Sequence, residues 1–334
     1  MMKIKKYALL LMAAIMVVAL AACGTKDDSS SDKKSSDAGT DGKTYKVGIT
    51  QIVEHPSLNQ ATKGFKAALK DAGLKVEYQT EIAQGDQSVN TTAANNLASS
   101  GVDLIFANST PSAQAAAAAT SDIPIVFTSV TDAVGAELVK SMEKPGGNIT
   151  GTVDTHPEAI PNTVKFLSEQ LGAKKVGMVF NSGEQNSRVQ VDNAKKEAKK
   201  VGITIVEASA STSAEVKQAT ESLVGKVDAF YIITDNTVVS ALESVLDVAN
   251  DKKIPVMVGE LDSVARGGLG AYGFSYYDIG YEAGQKAVKI LKDGKKPADI
   301  PVAYPAKLKL EINKTTADKI GVNIKDEWKA EVVK

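Results

Sequence analysis

A chain of 334 residues, 43% hydrophobic and 24% charged, is long enough for two globular units at about 100 to 200 residues each. Its formal net charge of −1, with lysines scattered among acids, leaves no basic stripe, which argues against nucleic acid or another polyanion as partner.

The chain opens with a leader. Lys3, Lys5 and Lys6 form a positive region, Tyr7 to Leu20 an apolar one, and Leu20-Ala21-Ala22-Cys23 a small-residue cleavage site. The apolar stretch is shorter than the roughly 20 residues of a spanning helix, so residues 1–22 read as a signal peptide. Leu-Ala-Ala-Cys resembles the bacterial lipobox, which implies a lipid on the sulfur of Cys23. No other cysteine exists to form an internal disulfide. Residues 23–43, dominated by Ser, Asp, Lys and Gly, read as a lipid-anchored flexible linker with a reach of roughly 25 Å. The expected location is extracytoplasmic, with contact to the membrane through the lipid alone.

From Tyr45 onwards strand-like and helix-like segments alternate. KVGITQI reads as a strand; Phe65, Ala68, Leu69 and Ala72 share a helical face, Gly73 stops that helix, and LKVEYQT returns as a strand. A helix over residues 87–100, the strand VDLIFA, an Ala-rich helix after Pro111 and the strand IPIVFT follow. Short runs rich in Val and Ile between helices predict a parallel sheet covered on both faces.

The second half repeats the first. Val47-Gly48-Ile49 aligns with Val176-Gly177-Met178, Gly73-Leu74 with Gly202-Ile203, Val102-Asp103 with Val227-Asp228, and Ile123-Pro124 with Ile254-Pro255, in the same order and at nearly constant offset. The expectation is an α/β protein of two similar doubly wound parallel-sheet lobes joined by a hinge. Lobe 1 takes residues 44–151 plus about 274–306, and lobe 2 takes 152–273 plus about 307–334. Two or three extended crossovers would form the hinge, and the small-residue helix around Gly280, Ala283, Gly284 and Ala287 suits close packing.

Ligands of open α/β sheets sit beyond the carboxyl ends of the strands, beside free helix N–H groups. IFANSTP and YIITDNT both end a strand in polar groups, and the repeat pairs Ser109 with Thr234 and Thr110 with Asp235. Ser109, Thr110 and Asp235 would equally serve as helix caps, with Pro111 in the first turn. The residues assigned to a ligand on this edge are Gln51, Ser109, Thr110, Thr128, Ser129, Asn181, Glu184, Asn186, Ser187, Asp235, Asn236, Glu260 and Tyr276. His55, Gln84, Asp86 and Asp132 also lie at strand ends.

Enzyme signatures are weak. Gly268-Leu269-Gly270-Ala271-Tyr272-Gly273 fits G-x-G-x-x-G but follows an acidic loop late in the second half. No Walker A, G-x-S-x-G or H-E-x-x-H motif occurs, and the two histidines, His55 and His156, each precede a proline. No cofactor, no metal and no catalytic residue is assigned.

The lipobox, ITQIVEHPSLN, AQGDQS, ANSTPSAQ, IPIVFTSVTDAVGA, SMEKPGGNITG, FNSGEQNS, VDAFYIITDNTV, IPVMVGE and AYGFSYYDIG together resemble the solute-binding lipoproteins of ABC transporters of the tryptophan/tyrosine (TrpX-like) type. The resemblance covers nearly the whole mature chain. It implies a type I periplasmic-binding-protein fold, capture of an amino acid such as Trp, Phe or Tyr between the lobes of a monomer, and delivery to ABC permease subunits. A zwitterion needs donors for its carboxylate, for which Ser109, Thr110, Thr128, Ser129 and Ser187 are suited, and an acid for its ammonium. Asp235 is the first choice for the latter, with Glu260 and Glu184 as alternatives. Phe127, Tyr276 or Tyr277 would wall an aromatic side chain or else pack the core. A sugar or nucleoside binder, or a ligand-sensing lipoprotein not coupled to transport, stay open as other readings.

Overall fold

The computed structural model describes residues 42–334; the leader, Cys23 and most of the linker lie outside the described residues. Two sheets organise the chain. The first is built from β1 (Thr44–Gln51), β2 (Lys75–Ile82), β3 (Leu104–Asn108), β4 (Ile125–Val130) and β5 (Ile149–Val153), with α1 (Pro56–Asp71), α2 (Gln87–Ser99) and α3 (Thr110–Ala119) between successive strands. It is parallel throughout, in the order β2-β1-β3-β4-β5.

After α4 (Ala159–Glu169) the second sheet begins with β6 (Lys175–Phe180), α5 (Gln185–Lys200), β7 (Thr204–Ser209), α6 (Val216–Glu221) and β8 (Ala229–Ile232). It continues through α7 (Asn236–Ser240), α8 (Leu242–Asp251), β9 (Val256–Val258), α9 (Leu261–Ala265) and β10 (Gly270–Gly273). These strands run in the order β7-β6-β8-β9-β10, the order of the first sheet repeated. The duplication visible in the sequence is therefore a duplication of topology. The chain ends with α10 (Tyr276–Leu291), β11 (Lys309–Asn313), α11 (Lys314–Ile320) and β12 (Glu331–Val333). Here the expected all-parallel pattern gives way: β11 returns antiparallel to β10, and β12 pairs parallel to β11.

Burial on both sheet faces explains why the strands read as continuous apolar runs. In β3, Leu104 and Phe106 pack with Val47, Ile49, Phe65 and Leu69 under α1, whereas Ile105 and Ala107 pack with Leu97, Ala113 and Phe127 under α2 and α3. The second sheet has the same two-sided core, with Val176, Met178 and Tyr231 on one face and Phe230, Ile232 and Val245 on the other.

Three crossovers link the sheets: the segment after β5, the segment Phe274–Ser275 before α10, and residues 301–308 before β11. The first and third run side by side through a Thr152–Ala303 bridge. Although α10 follows the second sheet in sequence, it packs on the first. A Cβ on Gly280 would stand 2.0 Å from the Ala61 carbonyl oxygen, and one on Gly64 2.0 Å from that of Tyr277. Backbone-to-backbone contact between α1 and α10 is what those small residues permit.

Candidate functional site

The carboxyl ends of both sheets face a common cleft. Two hydrogen bonds cross it directly: Ser57 Oγ in α1 donates to Asp262 Oδ2 in α9 at 2.9 Å, and Gln190 Nε2 in α5 donates to Thr131 Oγ1 after β4 at 3.3 Å. Between these contacts lies a small central cavity of about 10 Å³ lined by His55, Leu58 and Ser129 from the first lobe, Asp154 from the crossover, and Asn186, Thr234, Asn236, Val239, Glu260 and Tyr276. Larger cavities of about 240 Å³ and 220 Å³ flank it, the first sharing Asp154 and Thr234 with it and the second sharing Asn236.

Several polar residues expected at the site are consumed by the protein. Gln51 Oε1 accepts from Asn108 Nδ2 and Thr62 Oγ1, and its Nε2 donates to Asn59 Oδ1 and the Val53 carbonyl. Thr128 and Thr152 share a hydroxyl contact at 2.9 Å. Ser109 caps α3, accepting from the Ser112 N–H at 3.3 Å, and Thr110 Oγ1 accepts from the Thr131 N–H. Asp235, first choice for the ammonium, accepts from Val238 N–H at 2.7 Å, and from Asn181 N–H and Ser187 Oγ, both at 2.6 Å. Its carboxylate is committed and does not line the central cavity. Glu184 is likewise occupied, receiving Asn186 Nδ2, Asn236 Nδ2 and Thr237 Oγ1. Phe127 is core, and Tyr277 stacks on Tyr281.

Three other members of the set, Glu260, Asn186 and Ser129, line the cavity and carry uncommitted atoms. Glu260 Oε1 accepts from Ser263 Oγ at 2.6 Å, but Oε2 is buried with no partner. Asn186 Oδ1 and Ser129 Oγ are buried and unpartnered too. Ser129 holds φ at 56°, and Ser109, one strand earlier, φ at 115° with ψ at 161°. Non-glycine residues in such conformations carry about 1–3 kcal/mol of strain each and concentrate at functional sites.

Asp154 was not among the residues assigned from sequence. Its Oδ2 accepts from Tyr276 OH at 2.7 Å and its Oδ1 from Thr131 Oγ1 at 3.1 Å. The signal was present, since GTVDTHP ends a strand in an acid as YIITD does. What marks Asp154 out is its place on a crossover, between the central cavity and the 240 Å³ chamber.

The cavity walls contain two carboxyl groups and neither lysine nor arginine. Burial raises the Glu260 carboxyl to about 7, against the neighbouring Ser263 and Ser57 hydroxyls that favour its charged form. Burial also raises Asp154, opposed by its bonds from Tyr276 and Thr131. His55 supplies no charge: burial, reinforced by Arg266, lowers it to about 3. Its Nδ1 faces the Leu58 N–H at 3.5 Å as the cap of α1, so the neutral ring carries its proton on Nε2. Donors thus come from the first lobe and unpaired acceptors from the second, an arrangement matched to a small molecule with an anionic and a cationic group.

The chain is also similar to proteins already known. The chain is 44% identical over 325 residues, 95% of its length and 92% of the relative's, to a tyrosine-binding protein of Clostridioides difficile (strain R20291). Among solved structures it is similar to an ABC domain in complex with L-Trp from Streptococcus pneumonia, with 32% identity and a TM-score of 0.82 over 87% of this chain and 100% of that one. It is also similar to the ligand-free, open structure of a substrate-binding protein with adhesive properties from Clostridium difficile, with 41% identity and a TM-score of 0.65 over 87% and 99%. The better superposition belongs to the less identical, ligand-bound protein. A rigid rotation of lobes lowers an overall superposition without changing either lobe, so the lobes here stand nearer the ligand-bound arrangement than the open one. The two-lobed architecture is the type I periplasmic-binding-protein fold. The family model for ABC transporter substrate binding proteins, which are solute binders and not enzymes, matches residues 46–333, and the chain belongs to that family.

Proposed function

We propose that this chain is the lipid-anchored, extracytoplasmic binding component of an importer, and that it captures an aromatic L-amino acid between its lobes. The observation that carries this reading is the small interlobe cavity whose lining residues Glu260, Asn186 and Ser129 hold the buried, unpartnered atoms Oε2, Oδ1 and Oγ. An α-ammonium satisfies Glu260 and Asn186. An α-carboxylate takes the Ser129 hydroxyl and His55 Nε2–H beside the N-terminus of the 16-residue helix α1. A neutral sugar would leave the buried Glu260 charge without a counterion.

The aromatic side chain is supported by the relatives named for tyrosine and crystallised with L-Trp. Capture works by closure: a solute bridging the lobes favours the closed form by its difference in affinity for the two arrangements, and the permease then receives the closed, loaded protein. The lipid on Cys23 and the linker keep that protein at the membrane. A thermal-shift screen of the mature chain tests the ligand class, since a ligand at about 100 times its dissociation constant adds roughly 2.7 kcal/mol of stability. L-Trp, L-Tyr or L-Phe should raise the melting temperature, whereas a rise with sugars or nucleosides alone would overturn the reading.

A further inference from the structure

We propose that the 240 Å³ chamber beside the central cavity is the side-chain pocket, and that its outer end admits aromatic amino acids extended at the ring. This deepens the amino-acid reading above and rests on it. The central cavity, about 10 Å³, has room for roughly one water, so no side chain fits there and it must leave in one of two directions. Towards Asn236 lies the 220 Å³ cavity walled by Glu184, Asp86, Gln84 and a run of serines and threonines, where a ring would desolvate charged and polar groups without replacing their partners. Towards Asp154 and Thr234 lies the 240 Å³ chamber, which includes Asp132, His156 and Asn193 but adds a broad apolar wall of Met142, Val153, Ile160, Val189, Tyr231 and Phe274, where the other cavity has only Ile52 and Val53. Phe274 and Tyr231 are 6% and 3% exposed, a settled apolar wall for an aromatic ring. The two directions are chemically unequal, and the ring takes the second.

The lining of the same chamber also includes Val134 and Tyr304, neither of which lines the central cavity. These are 45% and 50% exposed, so the chamber reaches solvent at residues it does not share with the central cavity. A substituent on the ring then projects towards Val134 and Tyr304, while one on the α-amine or α-carboxylate has to fit the narrow central cavity. The chemical class selected is an L-amino acid with free amine and carboxylate and an aromatic side chain of variable length.

Isothermal titration of the mature chain with L-phenylalanine, para-propargyloxy-L-phenylalanine and L-phenylalaninamide tests the orientation. The propargyloxy compound is expected within about tenfold of L-phenylalanine and the amide at least about 100-fold weaker, the penalty of leaving built polar groups unpaired. Val189→Trp fills the chamber and should weaken aromatic ligands by at least about tenfold, as overfilled pockets do; Ala159→Trp on the facing helix serves the same purpose if the first variant folds poorly. Normal aromatic affinity in well-folded chamber-filling variants, or a propargyloxy compound bound more weakly than the amide, would overturn the pocket while leaving the amino-acid reading intact. Failure of the unaltered chain to bind any aromatic L-amino acid would overturn both.

Discussion

Ser57 in one lobe and Asp262 in the other are joined by a 2.9 Å hydrogen bond across the cleft, yet neither lines the central cavity. Their bond touches the ligand's energetics through closure, and the Ser57 hydroxyl also favours the charged form of Glu260. A hydrogen bond to a charged group contributes about 1.5–3 kcal/mol, and one made only in the closed arrangement adds that to the closed side of the equilibrium. Ser57→Ala is therefore expected to weaken ligand binding by about tenfold or more, chiefly by faster dissociation. Stopped-flow release of ligand checks this; an unchanged off-rate would mean that closure does not depend on the pair.

Glu260→Gln should separate stability from affinity. The side chain is buried with one oxygen unpartnered, so its charge is a burden to the ligand-free chain and an asset to the loaded one. The variant is expected to melt no lower than the parent above pH 7 without ligand, and to bind an aromatic amino acid about 100-fold more weakly, the equivalent of about 2.7 kcal/mol. Calorimetric melting together with titration distinguishes this from a general loss of fold, in which both would fall.

The same group sets a pH dependence. The folded-state value of Glu260 stands near 7, above its ordinary 4.5, because burial penalises the carboxylate. A raised acid contributes stability that is present at low pH and lost as pH rises through the folded value. Ligand-free stability is thus expected to decline between about pH 5 and 8, and Asp235, raised to about 7 by burial and by the charge of Glu184, adds to the same window. Ligand affinity should move the other way, because an ammonium needs Glu260 ionised: up to about tenfold tighter per pH unit below 7 and level above it. Titrations at pH 5.5, 6.5 and 7.5 read this directly, and Glu260→Gln should flatten the curve.

Asp235 separates a network role from a ligand role. Its three donors come from Asn181, Ser187 and Val238, so it ties the ends of two strands to two helix starts. Asp235→Ala is expected to lower stability by about 2–3 kcal/mol through buried donors left unpaired, read as a lower denaturation midpoint in urea. A fully stable variant that has lost its ligand would instead make Asp235 a direct ligand contact.

Much of this architecture was legible in the sequence because it follows from local pattern. LIFA is apolar at every position because both faces of β3 are covered, and the repeat of Val47-Gly48 at Val176-Gly177 is mirrored by two sheets of the same strand order. The polar strand ends were legible as one edge, but their division of labour was not. Whether an acid at a strand end is spent or free depends on partners far away in the chain: Asp235 is saturated by Asn181 and Ser187, while Glu260 is left with an open oxygen. Asp154 was missed because its position on a crossover is a property of topology. The antiparallel return of β11 depends in the same way on pairing with β10, which no periodicity within KLEIN announces.

The most direct measurement compares L-tryptophan with indole-3-propionate, the same molecule without its ammonium group, by titration calorimetry on the mature chain at pH 7.5. Glu260 and Asn186 as ammonium acceptors require one L-tryptophan per chain and binding of the deaminated compound weaker by at least about 100-fold. Equal affinities for the two compounds would contradict the assignment of the cavity's unpaired acceptors to a ligand cation.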